Sequence, residues 1–288
     1  MDTTDGDNKK KSESTPKNDG VMETVEERKA KVEKGRSLSQ LKISNIDSPS
    51  HPLFEQAVAV LAAAFCGTTK TIPEQTSAWC ITGQVHLCPW TETPSQEHQD
   101  IQKHWARLGF IYGVDTGGCF CVQDEAEEGA PVVAAVVCDP PPKYKELHSP
   151  DPEPKPELSP PAILKRDESI NVRLGHFAKL VMDFHSKNVQ DKPHWNVQML
   201  GVSPTNQGKR YSSHLLKHLH ALAETFGVDL YLETVGDKNK AVFERAGYRV
   251  MDSMVMSHAT AKDEVTMLLM KSCTGEDMQH KRLGKTLN

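Results

Sequence analysis

The chain has 288 residues, 34 basic and 39 acidic side chains and a net charge of −5, which argues against nucleic-acid binding driven by bulk charge and leaves only a local basic patch. Apolar residues make up 37% of it; adding the 18 Gly gives about 43%, under the roughly 45–50% of a compact domain, so part of the chain is not expected to pack. No run of 18 apolar residues exists, so no membrane span is expected.

The opening residues, MDTTDGDNKKKSES, lack the apolar core of a secretory signal, and their acidic residues fit an organelle leader poorly. Seven Cys without CxxC spacing read as reduced, mostly buried thiols in a cytoplasmic protein, with the nucleus also open. Residues 1–40 carry nine acidic and nine basic side chains and no aromatic. Such a segment cannot bury enough surface to offset its ordering entropy and reads as disordered.

The main domain is expected over 41–271, an α/β (α+β) unit with a mixed central sheet of six to seven strands and helices on both faces. Strands are predicted at Leu41–Asp47, Cys119–Gln123, Pro131–Cys138, His194–Pro204, Val228–Val235, Tyr248–Met256 and Val265–Lys271. Apolar spacing predicts helices at Pro52–Phe65, Gln96–Tyr112, Arg173–Asn188, Gly208–Phe226 and Asn239–Ala246. Residues 139–166 hold nine of the 18 prolines and read as an extended, solvated insertion, either a plain surface loop or a docking segment for a protein partner. Residues 272–288 read as a loose tail.

The chemistry concentrates in His194–Gly227, a strand, a short Pro-containing loop and a long amphipathic helix. The first turn of a helix has unpaired N–H groups and about half a positive charge, so it is an anion site suited to a pyrophosphate. Gly208 permits close backbone approach; Lys209 and Arg210 add positive charge, and Ser212 adds a hydroxyl. A Walker loop fails on spacing, and GxGxxG is absent.

The segment resembles motif A of the GCN5-related N-acetyltransferase superfamily, L-x-V-x-P-x-x-[QR]-G-x-G-x-[GA]-x-x-L-L, through Leu200, Val202, Pro204, Gln207, Gly208, Leu215 and Leu216. Leu230–Val250 resembles motif B through Asn239, Gly247 and Tyr248. The two motifs cover roughly 60 residues. The resemblance implies that the strand Met199–Gly201–Val202 splays from its neighbour and that the pantetheine arm of acetyl-CoA fills the gap. Gln207, Gly208, Lys209, Arg210, Tyr211 and Ser212 would wrap the pyrophosphate through main-chain amides, and Asn239 would touch the cofactor arm. An amine of a small molecule or peptide would attack the thioester directly.

Two departures stand out. Arg210 and Ser212 replace motif glycines; in helical backbone neither position demands Gly, and the Arg210 side chain is expected to point outward. Many family members have a Tyr four residues after the motif B Asn to protonate the leaving thiolate; here Phe243 stands there, and a phenyl ring donates no proton. For a general base, Glu233 is the first candidate, with a structural or substrate-orienting role as its rival. His194 could relay a proton or be a plain surface histidine.

His214 and His218 share a helix face at a spacing that could hold zinc, but nothing nearby completes a site, and no metal is expected. Trp79, Trp90, Trp105 and Trp195 could line an acceptor cleft walled by residues 66–112 or lie in the core. Met251, Met254 and Met256 are expected in the strand core. The expected function is acetyl-CoA-dependent N-acetyl transfer to a primary amine. The alternative is a weak or inactive protein of the same fold that binds CoA or a protein partner.

Overall fold

The computed structural model describes residues 40–150, 154–189 and 191–272. Nearly all of the head expected to be disordered, and the tail from Cys273, lie outside the described residues. Seven strands form one sheet: β1 (Leu41–Asn45), β2 (Cys119–Asp124), β3 (Val132–Asp139), β4 (His194–Val202), β5 (Asp229–Val235), β6 (Tyr248–Met256) and β7 (Val265–Ser272). Their spatial order is β1-β2-β3-β4-β5-β7-β6. All pairings are antiparallel except β4 with β5. Every predicted strand is present.

The helices are α1 (Phe54–Cys66), α2 (Gln75–Thr82), α3 (Gln96–Val114), α4 (Pro142–His148), α5 (Ala162–Arg166), α6 (Glu168–Val189), α7 (Tyr211–Phe226) and α8 (Asp237–Arg245). One face of the sheet carries α1 and α3, where Phe54, Leu61 and Phe110 pack on Cys119, Cys121, Ala135 and Val137. The other carries α7, where Leu215, Leu216 and Leu219 pack on Val122, Val136, Trp195 and Leu232. Alternation along β2 and β3 produces this split, because successive side chains point to opposite faces. Among the described residues no helix is long and apolar enough to cross a membrane.

The proline-rich insertion differs from the expectation. Its first part folds as α4, with Pro142 inside the first turn. Proline there loses no hydrogen bond, because that N–H has no helical partner anyway. Tyr144 of α4 is buried and meets Trp195 and Phe226 edge-on. Leu164 of α5 is also buried. Arg173 on α6 is buried and fastens three elements, donating to the carbonyls of Cys80, Ile81 and Thr260. Met251 is 49% exposed, against the expectation of a core residue, whereas Met256 is buried.

Candidate active site

The parallel pairing of β4 with β5 covers four residue pairs, from His194↔Asp229 to Val197↔Leu232. Beyond it the strands part. On its other side, β4 continues to pair with β3 as far as Val202, with a register shift at Val137/Cys138. Met199–Val202 therefore has a sheet neighbour on one side and a fork on the other. The Met199 side chain turns away to pack with the α1–α3 core, and Gly201 backs onto α1. A Cβ at Gly201 would stand 2.8 Å from both Leu61 and Ala64, so glycine sets how closely α1 approaches the fork.

The loop after β4 passes through a short 3-10 turn, Pro204–Asn206, and enters α7 at Tyr211, three residues later than predicted. Gly208 has φ +82° and open space at its Cβ position. Arg210 is the N-cap, left-handed at φ +65° and ψ +17°, with no side-chain cap. The helical backbone expected at Arg210 is thus wrong: the missing motif glycine falls where a Cβ is strained. The Arg210 side chain is exposed. The Arg210 side chain makes no hydrogen bond to the amides of the first turn, the groups expected to hold an anion. Lys209 is tethered to Asn206 at 2.6 Å. The Tyr211 side chain is buried and its hydroxyl donates to the Asp124 carboxylate, so that side chain is already engaged within the protein.

Two cavities meet at the fork. The first, about 240 Å³, includes Leu200, Val202, Gln207, Gly208, Ser212 and Asn239 in its lining. The second, about 620 Å³, lies towards α6 and includes Phe177, Val181, His185, Gln198 and Glu233. Phe65, Glu74, Leu200, Asn239 and Phe243 line both. Phe243 therefore stands at the junction. Tyr248 is buried with its ring 5.7 Å from that of Phe243, and it lines neither cavity.

Glu233 and His194 are brought together by a residue the sequence did not single out. His185 of α6 lies between them, with Nδ1 2.5 Å from Glu233 Oε1 and Nε2 2.9 Å from His194 Nε2. The Glu233 side chain is only 8% exposed. No local spacing links positions 185 and 233; packing of α6 against β5 creates the contact. Glu74 was missed as well. It caps α2 by accepting from the amides of Thr76 and Ser77, which holds a carboxylate at the junction of the cavities.

The tryptophans do not line either cavity. Trp79 and Trp195 are fully buried, and Trp90 donates to the Cys66 carbonyl. His218 packs edge-on against Phe120, and among the described residues no group of His, Cys, Asp or Glu is arranged to hold a metal.

No protein-family model and no curated protein sequence matches the chain. Solved structures do. Arylalkylamine N-acetyltransferase 2 from Aedes aegypti aligns over 81% of this chain and 98% of its own, at 8% identity and a TM-score of 0.50. The C-terminal condensation domain of Ebony, in complex with β-alanyl-dopamine, aligns over the same shares at 10% identity and a TM-score of 0.50. Drosophila melanogaster polyamine N-acetyltransferase covers 80% of this chain and 98% of its own, at 13% identity and a TM-score of 0.46. With its forked seven-stranded sheet and the two likenesses at a TM-score of 0.50, the chain has the fold of the GCN5-related N-acetyltransferases.

Proposed function

We propose that the protein transfers an acetyl group from acetyl-CoA to a primary amine of a small molecule or peptide. The observation that carries this reading is the joining of a fork and amide cradle to a second cavity bearing ionisable groups. The diphosphate would lie on the amides of residues 207–212, with the pantetheine arm along Leu200 and Val202. Asn239 and Phe243 would flank the thioester. The acceptor would enter the cavity beside α6. Its walls include Phe65, Phe177, Val181 and Met267, which suits an amine carried on an apolar body. Its carboxylates, Glu74 and Glu233, each already hold a partner within the protein. That favours one ammonium over several.

The ammonium must lose a proton before its nitrogen can attack. Glu233, His185 and His194 offer the path, and Glu74 fixes negative charge beside it. Holding amine and thioester together supplies much of the acceleration. The test is calorimetry with acetyl-CoA, then thiol release across aryl-, alkyl- and polyamines. Micromolar binding with release for apolar monoamines supports the reading, and absence of binding refutes it. A second reading, a CoA-binding scaffold without turnover, is favoured by Phe243, and binding without release from any amine would select it.

A further inference from the structure

Three hydrogen bonds join Glu233, His185 and His194 to one backbone carbonyl. Glu233 Oε1 meets His185 Nδ1 at 2.5 Å, His185 Nε2 meets His194 Nε2 at 2.9 Å, and His194 Nδ1 meets the Lys192 carbonyl at 2.6 Å. A carbonyl only accepts, so His194 Nδ1 carries a hydrogen. The contact between the two ring nitrogens needs one hydrogen, and the carboxyl–imidazole contact needs another. The bonded array therefore holds three protons. One carboxylate and two neutral imidazoles hold two. The surplus proton makes either an imidazolium beside a carboxylate or a carboxyl group beside two neutral rings. The three side chains are then neutral in sum. Without it, one contact has no hydrogen and two lone pairs face each other.

We infer that Glu233, His185 and His194 form a proton store with two states, of which the closed arrangement is the loaded one. Once it gives a proton to solvent through His194, the array carries one negative charge and opens a contact. It can then take the proton of an ammonium in the acceptor cavity, which His185 and Glu233 line and His194 does not. This rests on the transferase reading. The ammonium becomes an amine and the array becomes neutral. The amine nitrogen bonds to the thioester carbon, the carbon–sulfur bond breaks, and the second amine proton goes to the thiolate. The stored proton leaves through His194. Entry and exit lie at opposite ends, so His185 connects them.

The surroundings isolate the store. The Tyr231 ring lies 5.5 Å from His194 and 6.3 Å from His185. Burial and the neighbouring Asp229 push the Tyr231 hydroxyl above its ordinary range, so it keeps its proton. Behind it, Asp229 pairs with Lys271 of β7 at 2.6 Å. Glu74 faces the same cavity from the α2 side. On the outer side of α6, Lys187 approaches Asp252 of β6 at 3.7 Å.

The test is nitrogen NMR of the full chain labelled with ¹⁵N-histidine, titrated with pH, with His185→Gln and His194→Gln variants to assign the rings. The expected result is a single one-proton step seen by both rings at one midpoint. In His194→Gln the shared step should be lost at His185, and the acid limb of kcat/KM should change with it. Glu233→Gln supplies a second check. Its amide can donate to His185 Nδ1, so two neutral rings satisfy all three bonds. The step should vanish while the ring-to-ring contact persists. Separate midpoints for the two rings in the unmodified protein would overturn the store. A shared step in protein that fails to bind acetyl-CoA would uphold the store and remove only the transferase reading.

Discussion

Replacing Arg210 with glycine separates two effects that act in opposite directions. At φ +65° a residue with a Cβ costs about 1–2 kcal/mol relative to its relaxed form. Glycine relieves that strain but loses about 0.5–1 kcal/mol more chain entropy on folding. The net expectation is a stabilisation of about 0.5–1 kcal/mol, or a Tm rise of roughly 1–4 °C. Acetyl-CoA binding should move the other way. An exposed guanidinium beside a diphosphate is screened, so its loss should cost about 1 kcal/mol, roughly fivefold in Kd. Arg210→Lys keeps both charge and strain, so its Tm should stay put while Kd weakens less. Differential scanning fluorimetry and calorimetry read the two quantities on the same samples. A lower Tm for the glycine variant would refute the strain reasoning. Tighter acetyl-CoA binding would show that the guanidinium obstructs the cradle.

Tyr211→Phe leaves the fully buried Asp124 carboxylate short of a hydroxyl donor and should lower unfolding stability by about 2 kcal/mol in urea titration. Arg173→Ala strips donors from three carbonyls and should cost about 3 kcal/mol or more. Burial drives the His98 imidazole down to about 4, from 6.5. The unfolded chain therefore takes up its proton first, and the contribution of His98, level above pH 6.5, should lower stability towards pH 4 by up to about 3 kcal/mol. His98→Gln should flatten that fall in urea titrations at successive pH values. Phe243→Tyr restores a hydroxyl at the cavity junction and should raise kcat up to about tenfold at constant KM, if thiolate departure limits turnover.

The seven strands were legible because alternation and β-branched runs report one buried face at a time, and Val132–Asp139 is nearly all apolar as a central strand should be. The strand–loop–helix junction was legible because motif residues sit close together in sequence. The left-handed backbone at Arg210 was not, since nothing local distinguishes a helix that starts at Gly208 from one that starts at Tyr211. Helix α2 has little apolar periodicity, and its signal was the capping Glu74 three residues before Ser77. His185 was invisible for a different reason. Its meaning lies wholly in what packing brings to it from β4 and β5. The helix within the proline-rich stretch was hidden because prolines that forbid a helix behind them can also begin one.

Within the sheet, only four residue pairs join the four-stranded half to the three-stranded half. That seam is the mechanically thin part of the sheet, and past it the amide rows of β4 and β5 no longer pair with each other. A molecule lying between them would act as a clasp, pairing with both rows and stiffening the join. Amides far out on β7 should then exchange with deuterium more slowly once the cleft is filled, though nothing bound there would touch them.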